Sequence, residues 1–279
     1  MFRLNLKKKS IIFLAMMISF MFFLVSCSND LLGLFYSTGI KERFAMKDSF
    51  VYLDESDRQL SLNEELSFLV LTDIHIADNN VYGMDQLAKV IAENGDSFVA
   101  ITGDITQSGT PQELELFLKT ADAFGVPCYP VIGNHDIYFG NWNTWEKMIG
   151  STTYRIDAGE KTTLLMLDSA NASFGKDQLD WLETQLGTAG EHTFVFTHAN
   201  LFTSGGGEFQ QLTDIRERFR IMSLLEGKCT AFFSGHSHEQ VIKQAGKVQY
   251  ITLKDFKTKG TYCRVRVSSE GVSYEFNSL

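Results

Sequence analysis

The chain is short of several things. Three prolines in 279 residues leave no material for a proline-rich spacer, and no internal repeat or low-complexity tract suggests an array or a linker. Positive charge is scarce. Lys and Arg number 25 against 34 Asp and Glu, for a net charge of −9, which argues against a nucleic-acid backbone as partner, for which a basic patch is expected. Cysteines number four. Cys27 is treated separately below; Cys128, Cys229 and Cys263 are an odd remainder at irregular spacing. Cys128 and Cys229 sit in apolar strand-like runs, so buried free thiols are expected rather than a disulfide framework or a zinc knuckle. Histidine is also sparse, with six in the chain, so their placement carries weight.

The apolar run at residues 10–25 falls short of the roughly 20 residues that a spanning helix needs. It follows Arg3 and Lys7-Lys8-Lys9 and ends in Leu24-Val25-Ser26-Cys27. A charged start, a short apolar core and a small residue before a cut describe a secretory signal. Leu-Val-Ser-Cys also resembles the bacterial lipobox, in which the signal is cut before a cysteine that is then lipidated. The expectation is a lipoprotein-type signal peptide at 1–26, a lipidated Cys27 and tether at 27–45, and a single domain at 46–279. An uncleaved N-terminal anchor is the alternative, and either way the domain is exported and held at the cell envelope. A cysteine carrying diacyl and third acyl chains would satisfy the two-signal requirement for stable membrane anchoring. The tether is too apolar to be fully solvated, so part of it is expected to lie on the domain or the membrane.

Over the whole chain, 44% hydrophobic and 13% aromatic residues describe a packed protein, and the length beyond the leader suits one large α/β domain or two small ones. Residues 67–72, 97–102 and 126–132 read as strands buried on both faces. Between them, Met84, Leu87, Val90 and Ile91 share a helical face, and Thr110-Pro111 opens a second helix with proline in its first turn. Strands are expected again at 153–157, 163–168, 193–197 and 229–234. Helices are expected around Leu179, Leu182 and Leu186 and over 210–225. Strands alternating with helices imply a mainly parallel sheet. From 240 to 276, short apolar–polar alternations around Gly246, Gly260 and Gly271 predict an antiparallel meander, forming a second, C-terminal sheet packed on the first.

Each expected core strand ends in a metal-capable group: Asp73-Ile74-His75, Gly103-Asp104, Gly133-Asn134-His135-Asp136, Thr197-His198 and Gly235-His236-Ser237-His238. Taken alone, Gly133 to Asp136 reads equally as a turn, with Gly supplying an unusual backbone angle. Five segments with five of the six histidines point instead to one site, because open α/β sheets bind ligands at the carboxyl ends of their strands. His192, outside these segments, reads as an ordinary surface or helix-end residue. In Asp73-x-His75 and His236-x-His238, alternation on extended backbone would aim both side chains the same way. Imidazole, carboxylate and amide oxygen without thiolate suit Mn, Fe, Zn or Ni of unspecified identity, as two divalent or trivalent ions. Two ions about 3.5–4 Å apart would hold a bridging hydroxide for in-line attack on a phosphate ester.

The ordered motif set, with the helical segment at 178–186, resembles the calcineurin-like metallophosphoesterases from about Ser67 to His238. The resemblance implies a four-layer α/β/β/α sandwich with a dinuclear site at its edge. Carried over residue by residue, Asp73, His75 and His238 would hold one metal, Asn134, His198 and His236 the other, and Asp104 would bridge them. His135 would face the substrate as a charge stabiliser and acid, with Asp136 orienting it; a helix N-cap is the plainer role for Asp136. One departure is His198-Ala199-Asn200, where the family often has a second histidine or a proline. Asn200 and the loop Ser204-Gly205-Gly206-Gly207 would line the substrate side or form plain surface. The substrate implied is a small phosphate ester, a phosphodiester or cyclic nucleotide in particular. A phosphomonoesterase and a non-catalytic metal-binding lipoprotein are the alternatives; oligomeric state is silent. Tyr138, Phe139, Trp142, Trp145 and Phe202 could stack on substrate, although core packing is the more frequent role of such residues.

Overall fold

The structure, a computed structural model, describes residues 39–203, 212 and 214–279. The expected leader, Cys27, most of the tether and the glycine-rich loop at 204–207 lie outside these residues. The folded unit already includes residues assigned to the tether. Helix α1 (Ile40–Phe44) carries Arg43, which is wholly buried and pairs with Asp168, Nε to Oδ2 at 2.7 Å. Helix α1 is thus tied to the domain through one buried cation.

After α2 (Glu55–Arg58) and β1 (Gln59–Leu60), the chain builds its first sheet core from β2 (Leu66–Leu71), α3 (Met84–Asn94), β3 (Val99–Thr102), α4 (Pro111–Asp122) and β4 (Cys128–Val131). Thr110 caps α4 in a capping box with Glu113, and Pro111 opens the helix, as the missing N–H of proline allows. A short 3-10 stretch (His135–Gly140) and α5 (Trp142–Met148) lead to the second core: β5 (Tyr154–Ala158), β6 (Thr162–Met166), α6 (Lys176–Leu186), β7 (His192–Phe196), α7 (Ile215–Leu225) and β8 (Ala231–Ser234). His192 therefore opens a strand. Helix α7 starts later than expected, at the Asp214 cap; the expected helical residues 210, 211 and 213 lie outside the described residues. Then come β9 (Val241–Ala245), β10 (Val248–Thr252), α8 (Phe256–Lys259), β11 (Thr261–Ser268) and β12 (Gly271–Ser278).

Two mixed sheets result, ordered β1-β5-β6-β7-β8-β10-β9 and β12-β11-β2-β3-β4. The expected C-terminal meander is present as two antiparallel hairpins, but they do not form a sheet of their own. The hairpin β9–β10 extends one sheet through β10 parallel to β8, and β11–β12 extends the other through β11 antiparallel to β2. Each core sheet leaves a free edge, and an edge strand is stabilised by pairing.

Period-two alternation sorts the strands' side chains into layers. Phe68, Val70, Ala100, Tyr129, Phe194, Phe196 and Phe233 fill the space between the sheets, with Phe68 stacked on Phe98 at 4.5 Å and Phe196 on Phe233 at 5.3 Å. Leu69, Leu71 and Ile101 face α3, α4 and α5. Leu165, Val195 and Phe232 face α6 and α7. This is the α/β/β/α sandwich. Cys128 and Cys229 are buried and free, as expected, and Cys263 is buried and free as well. Among the described residues, no helix is long and apolar enough to cross a membrane.

Candidate metal centre

The five ligand-bearing segments meet at one end of the sandwich, but they do not come from one sheet. β2, β3 and β4 deliver Asp73, Asp104 and Asn134; β7 and β8, in the other sheet, deliver His198, His236 and His238. The site spans the top of the seam between them.

The side chains do not converge by strand alternation. Asp73, His75, Asp104, His236 and His238 all have positive φ, between 49° and 70°. Each non-glycine residue in that region costs on the order of 1–3 kcal/mol, and such strain clusters at functional sites. Glycine's role also differs from the turn expectation. Gly133 has no positive φ; it is needed because a Cβ there would lie 2.1 Å from Asp104 Oδ1. At Gly103, φ is +92° and a Cβ would meet the His198 ring at 2.5 Å.

Among the described residues, three groups of donor atoms result: Asp73, His75 and His238; Asp104, His198 and His236; and His75, Asp104 and His135. In the first, Asp73 Oδ1 lies 3.1 Å from His238 Nε2 and 3.6 Å from His75 Nε2. In the second, His198 Nε2 lies 3.2 Å from Asp104 Oδ2, 3.0 Å from Asn134 Oδ1 and 3.1 Å from His236 Nδ1. Asp104 Oδ2 also stands 3.8 Å from His75 Nε2, so this oxygen faces both. The Asn134 amide is oriented by Nδ2 donating to Tyr138 Oη at 2.7 Å, which turns Oδ1 toward His198.

These residues fit metal ions on two observations. Both ring nitrogens of the buried His75 lack a hydrogen-bond partner, an arrangement that is costly unless a cation uses a lone pair. At His198, Nδ1 lies 2.9 Å from the Thr102 carbonyl. A carbonyl only accepts, so Nδ1 carries the hydrogen and Nε2 points a lone pair at two oxygens. A cation or a proton placed there relieves the opposition of lone pairs. In the metal-free protein a proton serves: burial presses the His198 pKa down, but the Asp104 carboxylate and then Asp73 raise it to about 10. Burial likewise pushes the Asp73 and Asp104 carboxyls up, and the surrounding imidazoles more than reverse it, holding both below the usual carboxylate range.

His135 lies beside this cluster, its Nε2 4.0 Å from Asp104 Oδ2 and its Nδ1 2.8 Å from the Gln107 carbonyl. Asp136 does not orient it. The Asp136 oxygens accept from Gly133 N at 2.8 Å, Thr106 N at 2.9 Å and Thr106 Oγ1 at 2.7 Å. It ties the loop after β3 to the loop after β4, and it is not a cap for α5, which starts from Asn141. Burial, followed by the Asp104 charge, lifts its pKa to about 6 against those hydrogen bonds. The carbonyl that holds the His135 ring belongs to Gln107, and a backbone atom leaves no trace in residue type.

Asn200 is wholly buried rather than surface, its Nδ2 donating to Phe202 O at 2.9 Å. Tyr138, Trp142 and Trp145 are buried and Phe139 is exposed. Phe202 packs on Tyr250 with ring centroids 5.1 Å apart.

The chain is similar to an Enterobacter lignolyticus protein named glycerophosphodiester phosphodiesterase GpdQ, 28% identical over 219 residues, 69% of this chain and 78% of that one. It is also similar to a Fibrobacter succinogenes protein named as a probable cyclic nucleotide phosphodiesterase, 25% identical over 207 residues, 65% and 77% of the two chains. Among solved structures, a dimetal phosphatase from Danio rerio matches with a TM-score of 0.64 at 14% identity, over 76% of this chain and 96% of that one; at that identity the likeness concerns the fold. The sequence profile of the calcineurin-like phosphoesterases matches residues 66–240, a stretch that takes in strands of both sheets and all five ligand segments, and the chain belongs to that family.

Proposed function

We propose that this metal-dependent phosphoesterase hydrolyses small phosphodiesters, with Asp73, His75 and His238 holding one ion, Asn134, His198 and His236 the other, and Asp104 between them. The observation that carries this reading is Asp104 Oδ2, which faces His198 at 3.2 Å, His75 at 3.8 Å and His135 Nε2 at 4.0 Å. The names of the two relatives support the diester class. When bound, two such ions neutralise phosphoryl charge and acidify water. The chain's own contribution is then at His135. With Nδ1–H engaged by Gln107 O, Nε2 is the nitrogen turned toward Asp104 and the metal cluster, placed to carry a proton to the departing ester oxygen or to steady phosphoryl charge. Asp136 keeps the two loops at a fixed spacing. Burial of Asp73, Asp104 and His198 removes competing water from the charges.

Bis-p-nitrophenyl phosphate, glycerophosphodiesters and cyclic nucleotides should be turned over with added Mn²⁺, with bound metal measured on the same sample. Faster turnover of p-nitrophenyl phosphate and other monoesters would make the enzyme a phosphomonoesterase, and no turnover of either class would remove the catalytic reading.

Export as a lipoprotein belongs to the same proposal and rests on residues 1–27. Its support is the charged start, the short apolar run and Leu24-Val25-Ser26-Cys27. In cells, Cys27→Ser should move the protein out of the membrane fraction; retention there would favour an uncleaved anchor.

A further inference from the structure

Arg43 reaches from α1 into the interior and is wholly buried there. Its Nε and Nη2 bond Asp168 Oδ2 and Oδ1 at 2.7 and 2.9 Å, and Nη2 also bonds Asn171 Oδ1 at 2.6 Å. A buried two-point pair of this kind carries a desolvation cost and in return fixes a geometry closely. Gln178 adds to the hold on the same loop: its Oε1 accepts from Asp168 N at 2.8 Å and its Nε2 donates to Asp168 O at 2.7 Å.

The next residue, Ser169, connects this loop to the metal centre. Its buried Oγ accepts from His198 N at 3.2 Å and from Ala199 N at 2.8 Å, and receives the Thr197 hydroxyl at 2.7 Å. Three consecutive residues at the end of β7 are thus gathered on one hydroxyl, and the middle one is His198. The His198 ring is set separately by Thr102 O at 2.9 Å. Ser169 therefore places the backbone from which the ring reaches, and the Arg43 pair places Ser169.

We propose that Ser169, anchored by the Arg43–Asp168 pair, is the positioning residue for His198, which makes the helix Ile40–Phe44 a support of the metal centre. This rests on the reading of His198 as a metal ligand. Support of this kind is expected to act on one ion only. Asp73, His75 and His238 have no hydrogen bond to Ser169, Asp168 or Arg43 among the described residues, so their group should be spared.

The test is calorimetric titration of the full-length protein, purified in detergent and stripped with chelator, using Mn²⁺ alone. Wild type should show two binding steps. Ser169→Ala should weaken one by about ten- to a hundredfold, the range found when a residue supporting a metal ligand is removed, and leave the other within about twofold. Arg43→Lys, which keeps the charge but not the two-point fork, should weaken the same step to a smaller degree. Both steps unchanged in both variants would overturn the proposal. So would a parallel loss of both steps with a lower melting temperature, which is what general destabilisation produces. His198→Ala separates the two layers of the argument. If it keeps both steps, the ligand assignment fails and this inference with it; if it loses one while Ser169→Ala keeps both, only the positioning role falls.

Discussion

At His135 the two ring nitrogens have separate tasks, Nδ1 held by Gln107 O and Nε2 turned toward Asp104. His135→Ala should retain both metal ions and lose about 10²–10⁴ in kcat, the usual size of a general acid or base contribution; metal analysis beside steady-state kinetics checks both parts. Loss of metal together with activity would make His135 structural. Gly133→Ala is the opposite kind of change, removing no functional group but sterically severe. The added carbon would overlap Asp104 Oδ1 and its backbone nitrogen at 2.1 and 2.2 Å. It should cost about 1–3 kcal/mol of stability, as overpacking does, and weaken metal binding; urea melts with and without Mn²⁺ would separate the two effects. Asp136 shows why residue type alone misleads. A carboxylate next to a candidate acid suggests a proton partner, yet its oxygens are taken by Gly133 and Thr106, a fact that depends on two loops meeting.

At the scale of elements, helix and strand signals were legible because they are local. Thr110 and Glu113 satisfy the first free N–H groups of α4 from within four residues, so their pattern survives any tertiary context. Thr110→Ala should destabilise the protein by about 1 kcal/mol, lowering Tm by about 2–4 °C for a chain of this size, without changing kcat. The ends of strands were less legible. The turns carrying Asp73, His75, Asp104, His236 and His238 adopt left-handed backbone, which Asp and His enter more readily than most residues but which their local preference is too weak to specify, so the surrounding packing has to hold it. Helix α1 leaves little trace in the sequence for a related reason. Its five residues show little periodicity, and Arg43 becomes intelligible only once Asp168 stands opposite.

For the molecule as a whole, the candidate metal centre is a seam device, with each sheet contributing part of the proposed ligand set. Metal should therefore stabilise the sandwich: at a hundredfold excess over Kd, each ion adds about 2.7 kcal/mol, visible as a rise in Tm that chelator reverses. Acidity should act through His198. Its pKa is raised in the metal-free fold from 6.5 to about 10, so its protonated form contributes stability that is complete below pH 6.5 and lost as pH rises through about 10. The metal must displace that proton. Apparent affinity should thus climb by up to tenfold per pH unit between about 6.5 and 10, with about one proton released per ion bound at this group at pH 7–8. Titration in buffers of different ionisation enthalpy measures it; pH-independent affinity over that window would contradict it.

The sequence by itself determined the class of fold, the position of most helices and strands, and the candidate donor residues, because period, capping and ligand chemistry are all carried by residue type. Only the tertiary structure decided that the strand ends come from two sheets, that the C-terminal hairpins divide between them, that Asp136 ties loops instead of holding an imidazole, and that Arg43 and Ser169 stand behind His198. Those outcomes depend on backbone carbonyls, edge pairing and contacts across more than a hundred residues. None of these is a property of any short stretch of chain.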